Sequence, residues 1–185
     1  MDACALASKN SLETNFLSNR SYDMKPETHF FQADEHIPNN PELPVLIYKN
    51  AVGSSDLTLY FEEMLAKHSW GGIWHAPVYD YTHFHSKSHE VLCIASGHAR
   101  LQLGGEHGGD FDVSAGDLIV LPAGTGHRQL SASHDFMVIG AYPKGQEDYD
   151  ILSSVKDDPA AVERIANLPL PEKDPLTGNP APLLD

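Results

Sequence analysis

The sequence predicts a mainly β protein built as a single β-sandwich or β-barrel, with one helix on its N-terminal side and an arm at its C-terminal end. From Ile73 to Pro143, short apolar segments alternate with turns that contain Gly, Pro and Asp, which is typical of small all-β domains. Within this region Ala99, Leu101 and Leu103 alternate with polar residues, as in a strand with one buried face. No internal repeat is present, so one barrel is expected rather than two in tandem.

The expected strands are apolar segments bounded by turn-forming residues. Two strands precede the helix and the others follow it. In chain order they are Thr28–Gln32, Pro44–Lys49, Val78–His85, Glu90–Ala95, Ala99–Leu103, Phe111–Val113, Leu118–Leu121 and Phe136–Tyr142.

The helix is predicted over residues 55–69, where apolar residues recur at the spacing of one buried helix face. Those residues are Leu57, Tyr60, Phe61, Met64 and Leu65. Ser54 or Ser55 is the candidate N-cap, and Gly71 is the candidate end of the helix. A second, shorter helix is expected over Pro159–Asn167.

The chain divides into three parts by composition. Residues 1–27 are polar and aperiodic and are expected to form a flexible N-terminal tail, because such segments bury little apolar surface. Residues 28–143 contain the predicted helix 55–69 and the strands, and are expected to form the barrel domain. Residues 144–185 contain six prolines and are expected to form a proline-rich arm that packs on the barrel.

Charge and cysteine content restrict the partners. The net charge of −14, from 12 basic and 26 acidic residues, argues against nucleic acid and gives no attraction to anionic membranes. No run approaches the roughly 18 apolar residues that a membrane span requires. The two cysteines, Cys4 and Cys93, do not suggest a disulfide framework, and no secretory signal is visible. A cytoplasmic protein is therefore expected.

Three histidines and one glutamate have the spacing of a metal site. His83 and His85 are two residues apart, so on a strand both side chains would lie on one face. Glu90 follows after a turn that resets the register, and His127 comes from a later hairpin, after the turn at residues 122–124. Imidazole and carboxylate ligands suit Fe, Mn, Ni, Cu or Zn better than Ca or Mg.

Together with Gly97, Gly116 and Gly124, these residues resemble the two conserved motifs of the cupin superfamily across residues 78–131. The resemblance extends over roughly residues 28–184 to a group of single-domain cupins. That group is marked by His-x-His-Ser-x-x-His-Glu-Val-Leu, Gly-Ala-Tyr-Pro-x-Gly-Gln and Pro-Leu-Pro-x-x-Asp-Pro. These motifs occur here as His83 to Leu92, Gly140 to Gln146 and Pro169 to Pro175.

The resemblance implies a single RmlC-like jelly-roll barrel in which four side chains hold one divalent transition metal. The implied ligands are His83, His85, Glu90 and His127. Fe(II) is favoured, with Mn, Ni, Cu or Zn as alternatives. The superfamily also implies a homodimer.

Two positions depart from the superfamily pattern. Pro77 stands where a glycine is usual, and Ser131 stands where the second motif often has an asparagine. Neither position is a ligand, so the metal site is retained, although Pro77 would alter how the strand enters the barrel.

The implied function is that of a metal-dependent enzyme. The chain is similar to cupin-domain oxidoreductases of fungal polyketide gene clusters, which implies an oxidoreductase or dioxygenase of secondary metabolism acting on a small organic substrate. A phenolic or polyketide-derived compound is the candidate substrate. Two alternatives stay open: a non-redox metal-dependent isomerase, lyase or decarboxylase, and a small-molecule-binding cupin without catalysis.

Glu90 and its neighbour His89 are the candidate catalytic residues. In a functional interpretation His89 orients a ligand or handles protons. Adjacent strand residues point to opposite faces, which favours instead a turn residue facing solvent.

Four residues are candidates for the substrate pocket. Tyr79 and Tyr81 have the same parity as the first ligand and would line the pocket, although tyrosines in barrels more often serve packing. Leu92 and Ile94 have the same parity as the glutamate and would form an apolar wall. Such a wall would favour a hydrophobic or aromatic small molecule over a sugar.

Overall fold

The computed structural model describes residues 24–180. The first 23 residues of the predicted tail, with Cys4, and the last five residues of the predicted arm lie outside the described part. The described residues form nine strands and two α-helices. Their bounds are β1 Glu27–His29, β2 Val45–Tyr48, α1 Leu57–Lys67, β3 Trp70–Ala76, β4 Glu90–Ser96, β5 His98–Leu103, β6 Gly109–Ser114, β7 Leu118–Leu121, β8 His127–Ala132, β9 Met137–Pro143 and α2 Ala161–Asn167.

The strands form two antiparallel sheets. One sheet has the order β1-β2-β7-β4-β9-β3 and the other the order β6-β5-β8. Side chains from both sheets, among them Leu92 of β4 and Leu101 of β5, form a continuous buried cluster between them. The architecture is therefore the two-sheet β arrangement that the sequence predicts.

The four central strands of the six-stranded sheet, β2, β7, β4 and β9, are buried on both faces. Leu92 and Ile94 belong to the cluster between the sheets, whereas Val91 and Cys93 belong to a second cluster with Phe61 of α1. Successive side chains of a strand point to opposite faces, so a strand covered on both sides needs apolar residues at every position. This explains the uninterrupted apolar runs of β4 and β7.

Helix α1 covers the outer face of this sheet. Phe61 and Leu65 are fully buried there, and burial of each side chain contributes about 1.5–3 kcal/mol. The N-cap is Asp56, whose carboxylate accepts a hydrogen bond from the Leu59 N–H at 3.1 Å, so the predicted serine caps are wrong. The helix ends before Ser69, which has a left-handed φ of 66°, and not at Gly71.

The predicted strand Val78–His85 is wrong. The strand in this region is β3, which ends at Ala76, and residues 77–89 form a loop with isolated bridges at His83 and Phe84. Pro77 follows β3 directly and has no N–H to donate to a ladder. Two adjacent glycines look like a helix stop in sequence, but Gly71 and Gly72 lie within β3. The pairing of β3 with β9 shifts its register between Gly71 and Trp74.

The C-terminal residues run across the barrel. Phe84 and Leu152 exchange backbone hydrogen bonds of 2.8 and 3.0 Å, and Ile165 of α2 packs in a cluster with Phe84. Further along, the Tyr48 hydroxyl donates to Asp174 Oδ2 at 3.0 Å. The short second helix begins two residues later than Pro159 but ends as predicted.

Within residues 24–180, no helix has both the length and the apolar character that a membrane-spanning helix needs.

Candidate metal centre

Two loops bring three imidazoles together. His83 and His85 lie on the loop after β3, and His127 is the first residue of β8. His83 and His127 are held side by side by reciprocal backbone hydrogen bonds of 3.2 and 2.9 Å, and their ring centroids are 4.1 Å apart. The three buried histidines each offer a nitrogen, and these atoms all lie within 4.8 Å of one another.

Glu90, at the start of β4, completes the group. Its Oε2 lies 3.3 Å from His85 Nε2 and 3.2 Å from His127 Nε2. The side chain is buried, yet Oε2 makes no hydrogen bond of normal geometry with the described residues. All four predicted ligands therefore meet at one place.

The orientation of each ring is fixed from its far side. Nδ1 of His83 contacts the Tyr81 carbonyl at 3.1 Å, Nδ1 of His127 contacts the Thr125 carbonyl at 3.0 Å, and Nδ1 of His85 contacts the Asp150 carbonyl. A carbonyl only accepts hydrogen bonds, so Nδ1 carries the hydrogen in each ring. In a neutral ring the Nε2 lone pair then points into the shared centre, as metal-binding histidines require.

Burial and mutual contact shift the pKa values in this group. Burial, together with the neighbouring His127, lowers the pKa of His83 to about 3. Burial alone would raise the pKa of Glu90, but the neighbouring imidazoles of His85 and His127 outweigh it and hold that pKa well below its usual range. Burial likewise opposes a charge on His85, yet Glu90 outweighs it and raises the pKa of His85.

This group fits a metal ion. A buried carboxylate without a normal hydrogen bond lies among imidazole nitrogens whose lone pairs converge. Such an arrangement is electrostatically unfavourable unless a cation or a proton compensates it. Three nitrogens and one oxygen suit a divalent transition metal, so the four side chains can hold such an ion.

A cavity of about 170 Å³ opens above the group. Its wall is rich in aromatic residues: Tyr142 and Tyr149 stack at a centroid distance of 4.4 Å, and Trp74 also lines it. Tyr79 lines the cavity, whereas Tyr81, which was also expected there, lies outside the lining and stacks on Tyr79 at 5.0 Å. Tyr79, Tyr81 and Tyr149 are all more than 40% exposed, so the aromatic surface reaches the solvent.

The other predicted site residues have different positions. Leu92 lines the cavity, whereas Ile94 lies deeper, in the core between the sheets. His89 is fully buried, so the solvent-facing interpretation is wrong. Its Nδ1 accepts a hydrogen bond from the Ala123 N–H at 3.0 Å, outside the cavity lining. Burial lowers the pKa of His89 to about 4.

Several cavity residues were not predicted from the sequence. Tyr149 and Ile151 come from the segment after β9, and Trp74 comes from β3. The structure gives a reason for Gly140, since a Cβ at that position would collide with the indole ring of Trp74. The glycine of the Gly-Ala-Tyr-Pro motif thus leaves room for an aromatic wall.

Comparisons with known proteins agree with this architecture. Residues 73–139 match the Cupin domain family. With the two-sheet barrel and the histidine group, this match defines the class: the chain belongs to the cupin superfamily, as a single jelly-roll domain. It is similar along most of its length to the uncharacterized protein YjlB of Bacillus subtilis (strain 168). The identity is 40% over 164 residues, covering 88% of this chain and 97% of that protein.

The solved structures to which the chain is similar are more distant. A Klebsiella pneumoniae protein with a double-stranded β-helix domain has a TM-score of 0.36 at 12% identity, covering 71% of this chain and 83% of its own. Oxalate decarboxylase OxdC of Bacillus subtilis has a TM-score of 0.34 at 19% identity, covering 68% of this chain and 30% of its own. Procruciferin, an 11S globulin from Brassica napus, has a TM-score of 0.38 at 18% identity, covering 63% of this chain and 29% of its own. The chain thus spans less than a third of the latter two, and the assignment rests on the domain match and the relative.

Proposed function

We propose that this protein is a metal-dependent cupin oxidoreductase of the dioxygenase type, acting on a small organic substrate. The observation that carries the proposal is the convergence of three anchored imidazoles and a buried carboxylate at the floor of an aromatic cavity. His83, His85, Glu90 and His127 would hold one divalent ion, with Fe(II) favoured over Mn, Ni, Cu or Zn. When bound, such an ion supplies open coordination positions and redox chemistry.

The charge of the cavity favours a ligand with a single negative charge. The Glu90 carboxylate would balance one of the two charges of a divalent ion. The described lining contains neither Lys nor Arg, so a dianionic ligand would bring uncompensated charge into a buried site, which is costly. A phenolate or an enolate meets this requirement, which supports the proposed phenolic substrate class.

The aromatic wall would bind the body of such a ligand. Tyr142 and Trp74 offer flat apolar faces, and aromatic pairs gain about 0.5–1.5 kcal/mol beyond the burial of their area. Burial, with the negative charge of Glu90, raises the pKa of Tyr142, so its phenol stays protonated at neutral pH. The wall would also exclude water from the ligand.

Metal analysis of gently purified protein tests the metal site. We expect about one equivalent of a divalent transition metal in the wild type. His127→Ala should lose it, because removal of one of four ligands opens the site, whereas His134→Ala, at an exposed position, should retain it. Full metal content in His127→Ala would refute the ligand assignment.

Oxygen uptake tests the reaction class. The Fe(II)-loaded protein would be mixed with catechol, as a probe of phenolic ligands, in an oxygen electrode. Uptake that depends on His127 supports the oxidoreductase proposal. Turnover with Zn(II) and without oxygen uptake would favour the isomerase, lyase or decarboxylase alternative, and binding without turnover would favour a binding protein.

A further inference from the structure

One of the three imidazoles is anchored differently from the other two. His83 and His127 donate their Nδ1 hydrogens to carbonyls only two positions earlier in the chain. His85 donates to the carbonyl of Asp150, which is 65 positions away. The terminal torsion of a histidine has a broad preference, so the hydrogen bond decides the ring orientation. The His85 ring thus depends on a distant segment.

Asp150 also holds the backbone next to His85. Its Oδ1 accepts hydrogen bonds from the Ser86 N–H at 2.7 Å and from the Lys87 N–H at 3.1 Å. Its Oδ2 accepts the hydroxyl hydrogen of Ser86. The side chain is only 15% exposed. One residue therefore fixes the ring of His85 through its carbonyl and the following turn through its carboxylate.

Arg164 of α2 secures this arrangement. Its Nε and Nη2 donate to Ser86 Oγ at 3.0 and 2.8 Å, and Nη2 lies 3.6 Å from Asp150 Oδ2. The same guanidinium donates to Asp158 Oδ2 at 2.6 Å. Because the Ser86 hydroxyl donates to Asp150 and accepts from Arg164, the contacts form a connected chain from α2 to the turn beside His85.

The segment that carries Asp150 also shapes the cavity. Tyr149 and Ile151, on either side of Asp150, both line the cavity. Leu152 is tied to Phe84 by the reciprocal backbone hydrogen bonds described above. A displacement of this segment would therefore move the cavity wall and the His85 anchor together.

We infer that Asp150 is a positioning residue for the candidate metal centre, holding His85 in its ligating orientation with Ser86 and Arg164 as its partners. This inference rests on the proposed metal-dependent function. It gives Ser86, the serine of the His-x-His-Ser motif, a role in holding Asp150 in place. It also makes the segment around Asp150 a contributor to metal binding and not only to packing. It also predicts that metal affinity depends on residues that never touch the ion.

Co²⁺ titration of metal-free protein tests the inference, since bound Co²⁺ reports affinity and ligand geometry through its visible absorption. Outer hydrogen-bond partners of metal ligands typically contribute 10- to 100-fold in affinity. We expect Asp150→Ala to weaken Co²⁺ binding by about 10- to 100-fold and to alter the spectrum. Asp150→Asn, which keeps an oxygen for the Ser86 and Lys87 amides, should bind more tightly than Asp150→Ala.

Asp148→Ala is the matched control, because Asp148 is an exposed carboxylate two positions earlier, and it should bind Co²⁺ like the wild type. If Asp150→Ala does not fold, Arg164→Gln, which removes the outer clamp, should show a smaller loss in the same direction. A reduced melting temperature with unchanged Co²⁺ affinity and spectrum would indicate a purely structural role and overturn the inference.

The two proposals fail in different ways. Wild-type protein that binds Co²⁺, with Asp150 variants indistinguishable from it, would refute the positioning role and leave the proposed metal site standing. Wild-type protein that does not bind Co²⁺ would refute the metal-dependent function and the inference together.

Discussion

A methyl group added at Gly140 tests the cavity wall directly. Gly140 lies in β9 beneath Trp74, and a Cβ built on it would lie 2.5 Å from the indole Nε1 and closer still to Cε2 and Cζ2. Non-bonded carbon atoms prefer separations of about 3.5–4.0 Å. In Gly140→Ala the indole ring must therefore move by about 1 Å or more.

The expected loss of stability follows from two opposing effects. Excess volume in a packed site costs about 1–3 kcal/mol. Replacement of glycine by alanine also stabilises by about 0.4–1 kcal/mol, because the unfolded chain loses conformational freedom. The free energy of unfolding should thus fall by roughly 1–2 kcal/mol. For a chain of this size, this corresponds to a melting temperature lower by about 2–8 °C.

Urea unfolding and intrinsic fluorescence measure the two consequences. Fluorescence should change in Gly140→Ala because Trp74 is one of only two tryptophans. Gly53→Ala is the control, since no atom lies within 4 Å of its added Cβ, and it should be as stable as the wild type or slightly more so. Equal stability and identical fluorescence in Gly140→Ala and wild type would refute the close packing of Trp74 on β9.

Three further predictions concern stability. Tyr48→Phe removes the hydroxyl that donates to the buried Asp174, and in urea titrations it should lower the free energy of unfolding by about 1–3 kcal/mol. The control is Tyr60→Phe, whose hydroxyl has no hydrogen bond within the described residues and which should change the free energy of unfolding little. Equal effects of the two substitutions would contradict a stabilising role for the Tyr48–Asp174 hydrogen bond. Asn39→Gly keeps the backbone freedom that the φ of 49° requires but removes hydrogen bonds to three backbone groups, so a loss of about 2–4 kcal/mol is expected, and wild-type stability would contradict it. Co²⁺ at one hundred times its dissociation constant should stabilise the wild type by about 2.7 kcal/mol in thermal unfolding, and a similar gain in His127→Ala would place the ion elsewhere.

The metal ligands could be recognised from sequence because their spacing carries the information. His83 and His85 lie two apart, and the later His127 follows a Pro-x-Gly turn. The same spacing led to the wrong prediction of a strand over Val78–His85. A pair of histidines two positions apart suggests a strand, but His83 and His85 lie in a loop. The loop still brings both rings to the centre because His83 pairs with His127 through the backbone.

The remainder of the site has no local signature. Tyr149, Asp150 and Ile151 lie in an irregular segment whose position is decided by tertiary contacts with Ser86 and Arg164. No periodicity relates residues 65 positions apart. Strand β8 was missed for a related reason: beyond its first residue it is only partly buried, so it lacks the apolar alternation that marks a strand.

The distance in sequence between His85 and its anchor has a consequence for biosynthesis. The acceptors for His83 and His127 lie two positions earlier in the chain, so both rings can be oriented as soon as the barrel strands pair. The acceptor for His85 does not exist until residue 150 has emerged from the ribosome. A nascent chain that stops after β9 would therefore present two anchored imidazoles and one without its acceptor, and it should bind an ion more weakly than the finished chain.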